Sequence, residues 1–159
     1  MPNSLDFFES VTRRARAFNE RDEQIESSLH PFDRRNLDPR LPPKVRRLFD
    51  DSHYAEATFE AFKFVDKVVQ KHSKVGESGM KLMMQVFDEA KPCLRLTPLT
   101  NASEIDEQKG YRFLFSGAVM AIRNPRGHEV NISDDVDTCL DHLALASILL
   151  RRLEQAGYA

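Results

Sequence analysis

The sequence predicts an all-α protein, a helical bundle, and three observations carry that expectation. Apolar residues recur at spacings of three and four along several separate stretches, the period of an amphipathic helix. The stretches are bounded by prolines, glycines and capping serines, residues that start or stop helices. The one extended-looking segment, CLRLTPLTN, carries Pro98, which confines any strand there to an edge. At 159 residues and 18.3 kDa the chain fits one principal domain, a size at which about 68–70% of the unfolded surface is buried. With 41% hydrophobic and 30% charged residues it is neither low-complexity nor collagen-like.

Taken in order, Leu5, Phe8, Val11, Ala15 and Phe18 give a first amphipathic helix within residues 5–28, so residues 1–30 read as an N-terminal helical extension. HPFDRRNLDPRLPPK follows; its prolines remove amide donors and turn their predecessors from helix, which makes 31–43 a connector. Residues 44–157 form the main domain. Its helices start weakly at Val45–Phe49 and restart near Ser52, read as the cap of a long helix to about Lys71 with Phe59, Phe62, Phe64, Val65 and Val69 on its apolar side. Met80, Met83, Met84 and Phe87 mark the next helix, ended by Pro92. Leu94 and Leu96 alternate with Arg95, which allows a minor short hairpin near 94–102. Ser103 with Asp106 resembles a capping box for a helix whose apolar face is Tyr111, Leu114, Phe115, Ala118, Val119 and Ile122, ending near Asn124 because Pro125 follows. Ser133 is read as the cap of the last helix, Asp134, Asp135 and Asp137 as charges favoured by its positive dipole end, and Val136, Leu140, Leu143, Ser147 and Leu150 as its core side.

A net charge of -2 and a pI near 6.2 argue against wholesale coating of nucleic acid or membrane, so any anion site is local. Cys93 and Cys139 lie far apart without zinc spacing, and nothing implies a metal or other cofactor. The start has acids and arginines where a signal peptide needs an apolar run, and no stretch approaches a membrane span; the chain reads as soluble and cytoplasmic, with no membrane partner.

One constellation carries chemistry: Arg123, Asn124, Pro125, Arg126, Gly127 and His128, with Glu129 beside them. Arg123 follows Val119 by four and sits at the border of the apolar face, where a guanidinium is partly desolvated and needs an anion. Two readings fit these residues. In one they form a phosphodiester site, arginine donating to phosphate oxygens and histidine moving a proton near neutrality. In the other they are cations favoured by a helix carboxy-terminus, with His128 solvated or paired with Glu129.

AIRNPRGHE, preceded by YRFLFSGAVM and followed by LALASILLRRLEQAG, resembles the Ymh-like bacterial branch of the HEPN superfamily, and LFDDSHYAEATFEAFKFVDKVV and GMKLMMQVF look like that branch's earlier helices, so the likeness spans roughly residues 41–157. The family mark is an arginine, four to six residues, then a histidine: here Arg123, four residues, His128, with Asn124 as the polar residue after the arginine. The resemblance implies a HEPN-like helical bundle that dimerises with its motifs facing each other, and in many members a metal-independent endoribonuclease. Attack by the RNA's own 2'-hydroxyl needs a base, an acid and a positive group, and two chains supply two histidines and two arginines. Arg123, His128 and Asn124 are thus the expected catalytic residues, and Arg126, Arg46 and Arg47 the expected RNA-binding ones, the last two in the basic stretch from Arg34 to Arg47. The expected partners are RNA, a homodimer or higher oligomer of dimers, and an antitoxin or defence-system partner; the expected role is phage defence or a growth-arresting toxin. Some family toxins are silenced at a tyrosine four residues after the histidine, where this chain has Ile132. A catalytically silent dimerisation or RNA-binding module serving an effector is the rival, and a plain helical scaffold is a third reading.

Overall fold

The structure, a computed structural model, describes residues 8, 9, 11, 12, 15, 16, 29–129 and 132–158. Among them the regular elements are helices: α1 (Pro31–Arg34), α2 (Pro43–Asp50), α3 (Tyr54–Ser73), α4 (Gly79–Val86), α5 (Ala102–Ala118), a π-helical segment (Val119–Arg123), α6 (Asn124–His128) and α7 (Val136–Gln155). The all-α expectation holds. The chain divides into two compact units, Met1–Arg35 and Asn36–Ala159. In the first, the described residues from 8 to 16 have helical backbone, and the rest of the helix expected over 5–28 lies outside the described residues. There α1 opens at His30, whose Nδ1 accepts the Phe32 N–H at 3.1 Å.

The second unit is a bundle around α3, which packs against α2, α4, the π segment, α6 and α7, while α4 packs on α5. Ala57, Ala61, Phe62, Val65 and Val69 of α3 and Leu143, Ala146, Leu149, Leu150 and Leu153 of α7 are buried. Each fully buried leucine or phenylalanine is worth roughly 1.5–3 kcal/mol. The stretch after α1 is packed too: Leu37, Asp38 and Leu41 are buried, and the Asp38 N–H donates to Ser147 Oγ at 2.9 Å. The Asp38 carboxylate takes two bonds from the Arg40 guanidinium, at 2.9 and 2.7 Å.

Helix starts fall close to the expected places but on other residues. Ser52 does not cap α3; it has φ +64°, and His53 precedes the helix with no side-chain cap bond. The capping box slides two residues upstream of Ser103: Asn101 Oδ1 accepts the Glu104 N–H at 3.0 Å, and Glu104 Oε2 accepts from the Thr100 N–H and hydroxyl. Asp135, not Ser133, caps α7 by accepting the Thr138 N–H at 2.7 Å. A carboxylate or amide oxygen caps as well as a hydroxyl, so sequence reading locates a cap to a few residues only. α4 ends at Val86, before Pro92, because the Val86 carbonyl receives the Cys93 and Leu94 N–H groups in a turn.

No hairpin forms near 94–102 among the described residues, and the reason is Gln108. This fully buried side chain accepts the Leu96 N–H at 2.8 Å and donates to the carbonyls of Phe87 and Leu94 at 3.2 and 3.1 Å. The Arg95 N–H goes to the Tyr158 hydroxyl and the Leu96 carbonyl accepts from Arg152. Backbone groups that a ladder would need are therefore satisfied by side chains. Replacing Gln108 by leucine leaves buried amide and carbonyl groups unpaired, each costing about 1–3 kcal/mol. Urea unfolding of Gln108→Leu is expected to show a loss of roughly 3 kcal/mol; a loss under about 1 kcal/mol would remove Gln108 from this role.

Candidate functional site

The segment bearing the arginine–histidine motif does not stop at Asn124 as the sequence suggested. The helix continues through the π segment, where the Asn124 N–H bonds to the Val119 carbonyl five residues back, and re-forms as α6 with Pro125 in its first turn. The wider turn absorbs the proline, whose missing N–H costs little at a helix start. α6 then lies hard against α3. A Cβ on Gly127 would sit 2.7 Å from the Phe59 ring, so only glycine permits this approach.

That approach fixes Arg123. Its guanidinium carbon lies 5.4 Å from the centre of the Phe59 ring, Nη1 donates to Asn124 Oδ1 at 3.2 Å, and Nη2 stands 3.9 Å from Asp66 Oδ2. The side chain is 24% exposed, and its Nε is buried without a partner. The expected half-desolvated arginine is thus present, its charge met only by a distant carboxylate. Asp66 is buried; Oδ2 also accepts the Gly79 N–H at 3.1 Å, and Oδ1 has no partner. Burial raises the Asp66 carboxyl above its usual range, against the opposing pull of the Gly79 amide and of Arg123. Gly79 holds φ +66°, a conformation that favours glycine and turns its amide to Asp66.

Phe59 and Asp66 are the members that sequence reading missed. The apolar period places Phe59 in the core, whereas the ring is half-exposed beneath the guanidinium. The signal for Asp66 was a carboxylate set among Phe62, Val65 and Val69 on the core side of a helix, a position that requires a partner.

Arg126 departs from its expected role. It closes a fork on Asp134, both bonds 2.6 Å, and its Nη1 donates to the Ile122 carbonyl at 2.8 Å; the two side chains are 9% and 5% exposed. It is a buried strut tying α6 to the start of α7, and that same pairing, rather than the helix dipole alone, accounts for Asp134. His142 Nδ1 lies 3.9 Å from Asp134, and burial, then the Arg126 cation, hold its imidazole below the ordinary histidine range, so neutral His142 leaves Asp134 to Arg126.

His128 is exposed, and among the described residues no hydrogen bond or ion pair holds its ring. Five residues along a helix turn a side chain about 140° from the first, so Arg123 and His128 diverge within one chain. Arg123 and Asn124 are brought together; His128 stands apart. Arg46 and Arg47 are exposed on α2. Among the described residues no group of three or more acidic, histidine or cysteine side chains is placed to hold a metal ion, and no helix is long and apolar enough to cross a membrane.

The chain is an all-helical bundle whose arginine–histidine stretch follows a π-interrupted helix. Residues 35–153 match the family described as "Protein of unknown function (Hypoth_ymh)", and the chain belongs to that family. No curated protein and no solved structure matches it.

Two outcomes are expected. Gly127→Ala destabilises by about 1–3 kcal/mol through overpacking, whereas in a Phe59→Leu background the same change becomes neutral or stabilising, since alanine is the better helix former by about 1 kcal/mol; paired thermal melts check the reversal. For Asp66 the sign follows from its raised folded-state value: between the unfolded value and that raised one the folded chain binds the extra proton, so this residue's contribution improves as pH falls. Comparison of melting temperature with Asp66→Asn from pH 7 to pH 4 should show the wild type gaining relative to the variant; a flat difference would sink that account.

Proposed function

We propose that the protein is a metal-independent endoribonuclease of HEPN type that works in the cytoplasm as a homodimer. One observation carries the reading: the helix delivering the motif is apolar on two opposite sides. Phe115, Ala118 and Val119 are buried in the bundle. On the other side Phe113, Leu114 and Met120 are 54%, 50% and 53% exposed, with exposed Gly117 and Ala121 between them at helical spacing. Leu114, expected in the core, belongs to this outer side. A second copy laid on that surface covers the patch, with the glycine permitting close approach. His128 lies about 12 Å along the helix from Met120, so the partner's motif falls within reach of an RNA strand crossing both copies.

The divergence of Arg123 and His128 within a chain supports a shared site. In this mechanism a histidine removes the proton from the 2'-hydroxyl, the second protonates the departing 5'-oxygen, and the loosely compensated Arg123 guanidiniums stabilise the crowded phosphate. Asn124 orients the arginine. The products are a 2',3'-cyclic phosphate and a 5'-hydroxyl. A role in phage defence or as a toxin held by an antitoxin partner follows from the HEPN likeness.

The test is cleavage of total RNA and transfer RNA in EDTA with end-group analysis, alongside sedimentation. Wild type is expected to cleave as a dimer, His128→Ala to lose at least about 100-fold while remaining dimeric, and Leu114→Lys to lose both dimer and cleavage. Activity retained in His128→Ala overturns the site, and an active monomer overturns the shared arrangement. The unheld ring of His128 favours a second reading, a silent RNA-binding module: a dimer that binds RNA through Arg123 yet cleaves nothing would establish it.

A further inference from the structure

α3 presents Phe59 and Asp66 to the motif, and its opposite side, about half a turn away, lines a separate cavity. Phe64, Lys67, Val68, Lys71 and His72 of α3, Leu150 of α7 and Arg40 line a half-open cavity of about 230 Å³. Its floor is apolar, from Phe64, Val68 and Leu150, and its rim is cationic. Arg40 is already compensated by Asp38 and by Glu154 at 3.3 Å. The two lysines make no close ion pair among the described residues: Lys67 Nζ donates to the neutral Gln70 Oε1 at 3.0 Å and acts on Asp66 only from a distance, and Lys71 lies one turn on. His72, whose ring lies 5.7 Å from that of Tyr158, has a buried Nε2 with no hydrogen-bond partner. The His72 ring thus closes one wall of the cavity while its Nε2 is turned into the protein.

We propose that this cavity is a binding site for a small amphiphilic anion, a carboxylate or phosphate on a compact apolar body. The apolar part would lie on Phe64, Val68 and Leu150, the anionic head would face Lys67 and Lys71, and the His72 ring would stand beside it. At about 230 Å³ the space exceeds the roughly 150 Å³ of an apolar cavity that takes a benzene, which suits a body of about six carbons. The site shares no residue with the motif and does not depend on the nuclease reading.

Hexanoate is the probe for the full-length protein, read by NMR through the histidine ring signals, with His72 assigned from His72→Gln. Hexylammonium and hexanol carry the same chain with opposite or no charge. Saturable hexanoate binding with Kd on the order of 1 mM, displacing the His72 signal, is expected, with hexylammonium at least ten-fold weaker. Lys67→Gln with Lys71→Gln should weaken hexanoate ten-fold and leave hexanol unchanged, and Val68→Phe should fill the floor and abolish both; melting curves check that each variant folds. Hexyl phosphate binding tighter than hexanoate would assign the head as phosphate, the reverse as carboxylate. No saturation by 20-fold above that concentration, equal binding of hexanoate and hexylammonium, or an unmoved His72 signal would overturn the site.

Discussion

The contact between Gly127 and the Phe59 ring is the constraint on which the motif's geometry depends. Because the backbone of α6 reaches the edge of an aromatic ring with no side chain between them, one ring is shared by a glycine and, a turn earlier, by the Arg123 guanidinium. A ring used on both counts fixes the depth of α6 and the height of the arginine together. Aromatic attraction to a cation is modest, roughly 0.5–2 kcal/mol, yet here it acts on a side chain whose other partners are weak, so it decides where the guanidinium rests.

Two arginines three residues apart have been given opposite electrostatic settings. Arg126 is saturated by short bonds to Asp134 and the Ile122 carbonyl and carries structure. Arg123 faces Asp66 at 3.9 Å, across a gap longer than a hydrogen bond, with Nε unsatisfied. A buried carboxylate at that distance lowers the cost of desolvating the arginine without consuming its donors. The arrangement keeps a cation half-sheltered and still able to accept an anionic partner.

The helical class, the order of the helices and the placing of Arg123 at the edge of the core were legible because hydrophobic period and proline positions report them directly. What was not legible depended on partners distant in sequence. Gln108 reads as an ordinary polar helix residue until the turn at 94–96 folds back upon it. Arg126 looks like a free cation beside a phosphate site until Asp134, eight residues on, is seen to meet it. Pro125 looks like a terminus because local rules assume an α turn, and a π turn changes the register in which its ring must fit. The apolar period assigns Leu114 to the core since a helix with two apolar sides shows one periodicity only, and the pattern does not say which side faces the same chain.

A π turn holds one more residue than an α turn, so Val119–Arg123 is equivalent to a single-residue insertion in a regular helix. Closing that turn to α geometry with no residue removed would swing all that follows by about 100° with a shift of about 1.5 Å. Arg123 would leave the Phe59 ring and Gly127 would no longer face α3. The position of this site is therefore carried by the shape of the turn as much as by its letters: a chain with the same residues wound as plain α would have the motif and not the place.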